Sequence, residues 1–368
     1  MKFTCTQQNL TKGLTIVSQA VGTDTTLPVL SNVLLQTENG RLKLSATDLE
    51  TGINIYVGGK VETDGSVTVP AKLLAEYVRS LPAEKITLSA KDNILNLQAG
   101  TYSAKLNGID PEEFPLIPKI EKKEICTVEA TDFLAAVNKT VFAAASDESR
   151  PELAGVYMAF ADKKVTLAAT DSYRLAETVV NDAKIAGEAK NTIVPAKTLT
   201  ELLHILGDEV EGEVVISLSD NQMMFKYGDA NLITRLVEGK FPDYQQIIPE
   251  KFMTESEFDR QELLQGVKVT GLFAEQGAND IRFEFNPSSG QTSLYAASSQ
   301  VGKNTSKLKG SLKGETSQAV FNYRYLLDGL AAIKSDKIKF LTNGSTGPGV
   351  LRPINGQDYT YVVMPIKQ

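Results

Sequence analysis

The chain repeats itself. Ala46-Thr47-Asp48-Leu49 recurs as Ala169-Thr170-Asp171-Ser172, 123 residues later. Val69-Pro70-Ala71-Lys72 recurs as Val194-Pro195-Ala196-Lys197, 125 later, and Phe114-Pro115 as Phe241-Pro242, 127 later. Three matches in one order, at a nearly constant offset, mean two copies of one structural unit. A third copy is fainter. Phe321-Asn322-Tyr323-Arg324 lies 127 residues beyond Val194 and leads into a helical apolar pattern, while Tyr295-Ala296-Ala297-Ser298 falls near the place of the Thr-Asp pair. The period far exceeds the roughly 20–50 residues of a solenoid unit. It predicts three tandem domains of one fold, at residues 1–122, 126–249 and 253–368. The junctions fit: Pro118 to Glu124 carries five charges in seven residues, and Pro249-Glu250-Lys251 opens the second.

Each copy has one pattern. A short strand (Lys2 to Cys5; Ile125 to Val128; Thr254 to Phe258) leads into an amphipathic helix. Leu10, Leu14, Val17 and Val21 fall on one helical face of the first copy, as do Leu134, Val137 and Val141 of the second. Strands such as Val33-Leu34-Leu35, Leu42-Lys43-Leu44 and Val165-Thr166-Leu167 follow, separated by Gly, Asn and Asp turns. A second helix opens after a proline, whose missing N–H would be unpaired there anyway. Its apolar face is Leu73, Leu74, Tyr77, Val78 and Leu81 in copy one, Leu199, Leu202, Leu203 and Leu206 in copy two, and Leu326, Leu330 and Ile333 in copy three. The fold class is α+β: two helices and about eight strands per domain, the helices packed on antiparallel sheets.

The remaining composition mostly excludes. The two cysteines, Cys5 and Cys126, sit at matching places in two repeats, so no disulfide between them is expected, and the lone His204 lies on an amphipathic helix. No zinc-ligand spacing can be assembled and no cofactor is expected. No apolar run approaches the roughly 20 residues of a membrane span. Met1-Lys2-Phe3-Thr4 opens into a strand pattern rather than a signal peptide, so the cytoplasm is the expected compartment. Asp171, Ser172 and Arg174 are close enough to suggest catalysis, yet Asp48 holds the same place in copy one with no matching Ser or Arg. A repeated Thr-Asp is more simply a turn in which side chains bond nearby backbone N–H groups. No phosphate loop or Ser/His/Asp set is present, so an enzyme is not expected. The net charge is −7 and the pI about 5.1, so a nucleic-acid partner could not be held by bulk attraction.

The order Thr26-Leu27-Pro28-Val29-Leu30, Thr47-Asp48-Leu49-Glu50, Thr170-Asp171-Ser172-Tyr173-Arg174-Leu175, Gly239-Lys240-Phe241-Pro242-Asp243-Tyr244 and Tyr361-Val362-Val363-Met364-Pro365 resembles the β subunit of bacterial DNA polymerase III, the sliding-clamp family. The resemblance covers the whole chain. It is strong in the first two domains and weakest from Asn286 to Thr316. It implies a head-to-tail homodimeric ring of DNA-clamp domains, helices lining the pore and strands outside, that encircles duplex DNA and tethers polymerases as a non-catalytic processivity factor. Topology then replaces bulk attraction, and only the local sign of the pore matters. Lys12, Lys72, Arg79, Lys139, Lys197, Lys268 and Lys334 are the residues expected to meet phosphates, with Arg150 at a further family position near DNA and Glu76 and Glu201 as counter-charges. Where the family usually has an arginine before Thr-Leu-Pro, this chain has Asp24.

The resemblance also implies a groove for short Gln/Leu/Phe-type peptides of polymerases and clamp-loader subunits. The matching positions are Leu153, Thr170, Ser172, Tyr173, Arg174, Leu175, Pro242, Gln246, Ile247, Asn322, Tyr325, Val350, Val362, Val363, Met364, Pro365 and Ile366. Apolar walls suit such ligands, methionine adapts to varied ones, and Arg174 and Thr170 are expected polar anchors. Position 173 is often histidine in the family. Ring closure is expected to bring Ala104 and Leu106 of one copy against Leu272 and Phe273 of the next, with Ala104 smaller than the family's usual residue. The rival reading is a monomeric three-domain adaptor that never encircles DNA.

Overall fold

The computed structural model describes residues 1–368 apart from 23–26, 83, 119–123, 148, 208–209, 276, 355–357 and 368. Asp24 and most of the charged stretch after Pro118 thus lie outside the described residues. Six α-helices are present among those described: α1 Gln7–Val17, α2 Ala71–Ser80, α3 Ala130–Thr140, α4 Ala196–Leu206, α5 Arg260–Gly271 and α6 Tyr323–Ala332. Among the described residues there are 27 strands, nine per copy rather than about eight. The extra ones are short edge pieces such as Lys184–Ile185, too brief to show a period of two.

The helices begin where local chemistry starts them. Thr6, Asp259 and Asn322 each cap a helix by accepting a backbone N–H, from Asn9, Glu262 and Arg324 respectively. Pro70 immediately precedes α2 and Pro195 comes just before α4. Their apolar faces need some correction. Leu10, Leu14 and Val17 are buried, but α1 stops at Val17 and Val21 is outside it. In α3 the buried face is Phe133, Ala136, Val137 and Thr140, with Leu134 only half-buried. In α2 Leu74 and Val78 are buried while Leu73 is exposed. In each case a neighbouring leucine or valine lay one step off the true stripe. Counted back from their helices, Cys5 and Cys126 are also two residues out of register, one step along the same strand face. Both are free and buried, and burial pushes their thiols up to about 12 and about 11, which leaves them unreactive.

The chain forms two compact units, and neither coincides with one repeat. The first is Met1–Thr131, Lys184–Gly187 and Lys197–Leu236; the second is Asp132–Ala183, Glu188–Ala196 and Val237–Gln368. The reason is backbone pairing between repeats. In the first unit, Ala230–Arg235 of copy two pairs antiparallel with Thr51–Val57 of copy one, Ile233 opposite Gly52 and Thr234 opposite Thr51. This ladder makes a continuous nine-stranded sheet, beside a five-stranded one that ends at Tyr102–Asn107. In the second unit, Tyr359–Val363 of copy three pairs with Arg174–Val180 of copy two, Val362 opposite Leu175 and Val363 opposite Arg174. A second nine-stranded sheet results, beside a four-stranded one in the order Gly302–Lys309, Gln291–Ser298, Asp280–Asn286, Ser317–Asn322. The poorly matching Asn286–Thr316 stretch therefore consists largely of sheet-edge hairpin, where few side chains are constrained by a core.

The repeated Thr-Asp is the expected turn, formed twice with the same bonds. The Thr47 hydroxyl donates to Thr51 O and accepts from Leu49 N; the Thr170 hydroxyl donates to Arg174 O and accepts from Ser172 N. Asp48 Oδ1 accepts from Glu50 and Thr51, and Asp171 Oδ1 from Tyr173 and Arg174. The network holds Leu49 and Ser172 at φ of 79° and 77°, where L-residues are rare. Copy three keeps one arm only: Ser298 Oγ accepts from Gln300 N. That loss explains why its motif was faint.

In α6, Gly329 lets the helix settle onto Tyr361, whose ring would lie 2.3 Å from any Cβ at that position. Overpacking a filled core costs about 1–3 kcal/mol. Gly329→Val is expected to lower the second unit's thermal unfolding midpoint, followed by circular dichroism; an unchanged midpoint would show that α6 does not seat on that ring.

Candidate functional site

The junction ladder of the second unit lies where the resemblance places the peptide groove. Its floor is a cluster of Ala168, Leu175, Ile193, Phe241, Tyr244, Leu341, Val350 and Val362, with Tyr157, Val237, Ile248 and Phe252 packed against it. Tyr157 stacks on Phe241 with centroids 5.3 Å apart, and Tyr244 meets Phe241 edge-on at 6.0 Å. Above this floor the side chains open to solvent. Tyr173 is 64% exposed and Ile247 42%, while Pro242, Met364, Pro365 and Ile366 are half-buried and Gln246 exposed. The rim is fixed by backbone: Met364 N donates to Tyr173 O at 2.8 Å and Ile366 N to Val320 O at 2.8 Å. A buried apolar floor under partly exposed apolar walls suits an extended apolar peptide segment.

The two polar anchors expected from the sequence are differently placed. Both functions of the Thr170 hydroxyl are used inside its turn, and Thr170 is buried. Arg174 is caged: Nε donates to Asp171 at 2.9 Å, Nη2 to Phe142 O at 2.8 Å and Nη1 to Asp328, with its guanidinium 4.6 Å over the Tyr325 ring. It links the turn to α6 and to the backbone after α3. Asn322 caps α6 and Tyr325 lies in its first turn. Arg150, expected near DNA, donates to Ser172 Oγ at 3.3 Å and pairs with Glu152. Leu153 and Val363 are buried.

The expected phosphate-facing cations are borne by helices. In the first unit Lys12 on α1, Lys72 and Arg79 on α2 and Lys197 on α4 are exposed. In the second, Lys268 on α5 and Lys334 after α6 are exposed, and Lys139 on α3 is half-buried. Burial and then the nearby Lys334 push the Lys139 ammonium down, so that pair would gain from an anion. The counter-charges are unequal. Glu76 is exposed, but Glu201 is buried, and burial raises its carboxyl to about 7, against the opposing pull of Lys197. Lys197 is not idle: its ammonium bonds Asp48 Oδ2 of the first Thr-Asp turn.

Of the expected closure residues, Ala104 and Leu106 lie on the edge strand Tyr102–Asn107, half-buried and buried respectively. Leu272 is 72% exposed just after α5, and Phe273 is half-buried. Sequence reasoning missed Asp171, Asp328 and Phe142 as the holders of Arg174, and Tyr157, Phe241 and Tyr244 as the floor. Phe241 carried a signal through the repeated Phe-Pro, and Tyr244 stood in the family motif without a role; nothing in a linear chain links residues 174 and 328.

Three tandem domains of helices on antiparallel sheets, with no ≥3-residue His/Cys/Asp/Glu metal cluster among the described residues, define a clamp-type scaffold. Family models agree end to end: the N-terminal domain of the DNA polymerase III beta subunit matches residues 1–118, its central domain 127–243 and its C-terminal domain 245–367. The chain belongs to the DNA polymerase III beta subunit family. It is 33% identical to a beta sliding clamp of Synechococcus elongatus, over all of this chain and 99% of the relative. It superposes on the DNA polymerase sliding clamp of Bacillus subtilis with a TM-score of 0.95 at 26% identity, covering 100% and 99% of the two chains. A Pseudomonas aeruginosa sliding clamp bound to griselimycin matches at 0.94 and 28%, with full coverage of both.

Glu201 gives a pH test. Its folded pKa lies above the ordinary 4.5, so its contribution to stability is complete below pH 4.5 and is lost as pH rises through about 7. Glu201→Gln is expected to raise the melting temperature at pH 8 and leave it unchanged near pH 4.5. A gain of the same size at both pH values would mean that the effect is packing, not charge.

Proposed function

We propose that two copies of this chain close head to tail into a ring around duplex DNA and act as the processivity factor of a replicative polymerase. The observation that carries this reading is the unbroken match of all three clamp domains, in order, over nearly the whole chain. The domain limits 1–122, 126–249 and 253–368 follow the same repeat. Six helices spaced by the repeat supply a lining of lysines, which suits contact with phosphates of any sequence. Being held by topology, such a ring needs only weak attraction, and an acidic chain meets that need. No step is catalysed by this subunit; the polymerase it carries does the chemistry. DNA places the function in the cytoplasm, and no described helix is long and apolar enough to cross a membrane. The rival reading as a solitary adaptor finds no support among relatives that are themselves clamps.

Partners dock by a short Gln/Leu/Phe-type peptide in the groove between Tyr173, Ile247 and Met364. Each apolar anchor contributes about 1.5–3 kcal/mol. After ordering costs, two anchors leave binding near −8 kcal/mol, about micromolar, which permits exchange of polymerase and loader subunits. Changing Met364 and Pro365 together to alanine is expected to abolish peptide binding in a fluorescence-anisotropy titration while leaving the dimer intact. Binding that survives would remove the groove assignment.

The ring itself is tested by loading the protein onto nicked circular duplex, where it should stay until the circle is linearised and then slide off. Retention on linear DNA would contradict topological binding. Asp48→Asn keeps the Oδ1 acceptor of the turn and removes the charge that holds Lys197. It is expected to strengthen duplex binding severalfold at low salt; an unchanged affinity would take Lys197 out of the pore.

A further inference from the structure

We propose that the ring joint of this chain is like-charged: strand pairing and apolar contact close it against electrostatic repulsion, so that screening salt tightens it. The inference rests on the ring reading above and adds the sign of its regulation. Two of the sheet edges lie beside the residues expected to close the ring. Tyr102–Asn107 ends the five-stranded sheet of the first unit, and Gly302–Lys309 ends the four-stranded sheet of the second. On the first edge and its neighbouring strand Tyr102 and Ile94 are 53% and 36% exposed; near the second Leu272 and Val301 are 72% and 59% exposed. Exposed apolar side chains beside an unpaired strand mark a surface that another strand covers. The occupant is a second copy, because the head-to-tail ring proposed above brings these two edges together between molecules.

The charges on these edges do not complement each other. Along Gly302–Lys309, Asn304, Ser306 and Leu308 turn inward, where Thr270 bonds Asn304 and Ser306 and Leu308 covers Gly266. Lys303, Thr305, Lys307 and Lys309 turn outward. Along Tyr102–Asn107, Leu106 is buried and Ser103, Lys105 and Asn107 are exposed. Neither edge strand, nor Ile94–Ala99 and Gln291–Ser298 that pair with them, carries a carboxylate. Asp92 and Asp110 stand only in the turns beyond the strand ends. Side chains facing each other across a ladder are about 4.5–8 Å apart. That is within the roughly 30 Å screening length at 0.01 M salt and close to the 8 Å of physiological salt. Lysines on an edge strand also oppose indiscriminate pairing with other sheets. The joint is then selective for its one partner edge and loosens when screening falls.

The test is the dimer dissociation constant of the full chain, measured by sedimentation with Lys303→Glu/Lys307→Glu and Leu272→Asp alongside. For wild type, Kd should fall about tenfold between roughly 0.02 and 0.3 M salt, since screening removes the repulsion. The double glutamate variant, checked for native circular dichroism, should dimerise more tightly than wild type at low salt and loosen as salt rises. A wild-type Kd that rises with salt, or a glutamate variant that dimerises less well at low salt, overturns the like-charged joint. Failure of the ring reading looks different: a monomer at every salt concentration, or a dimer that Leu272→Asp leaves intact.

Discussion

Each compact unit of this protein depends on one backbone ladder that crosses from one repeat to the next. Without the pairing of Thr51–Val57 with Ala230–Arg235, and of Arg174–Val180 with Tyr359–Val363, each repeat would end in open strands and half a core. Paired, they make two nine-stranded sheets whose cores ignore repeat boundaries. Antiparallel ladders are insensitive to side-chain identity. They can therefore join copies that have diverged far beyond easy recognition, as the third has here.

The ladders also create two equivalent turn junctions whose side chains differ. In the second unit Met364 N bonds Tyr173 O; in the first, Arg235 N bonds Glu50 O at 3.1 Å. The same turn flanks both. In the first unit, however, Gly52 stands where Leu175 stands in the second, and Ile117 comes down on it, within 2.9 Å of where a Cβ would lie. Glu50 replaces Tyr173, Thr51 replaces Arg174 and Arg235 replaces Met364. What remains is a cavity of about 210 Å³, below the roughly 300–1,000 Å³ of ordinary ligand pockets. The second unit's junction instead lies over the apolar, aromatic cluster of Tyr157, Phe241 and Tyr244.

Much of this was legible in the sequence, for identifiable reasons. The repeat gave the domain order because its turns depend on Thr-Asp side chains that cannot be exchanged without losing two or three local bonds. Helix positions followed from period and caps, and errors arose where two apolar residues stood side by side, as with Leu73 and Leu74 or Phe133 and Leu134. The groove's wall residues came from resemblance. Their roles did not: that Thr170 is sealed in a turn and Arg174 is held by Asp328 depends on contacts 4 and 154 residues away in the chain. Likewise the partial neutralisation of Glu201 follows from burial, which a charged residue on an amphipathic helix does not announce.

The central claim is that the second unit's junction groove, and not its counterpart in the first, receives the partner peptide. Hydrogen–deuterium exchange of the full chain, with and without a saturating Gln/Leu/Phe-type peptide, tests it most directly. Protection should appear at residues 172–174, 245–248 and 362–367 and leave residues 49–52, 115–117 and 233–236 unchanged. Protection confined to the latter set, or bound peptide with no protection at either ladder, would contradict the account.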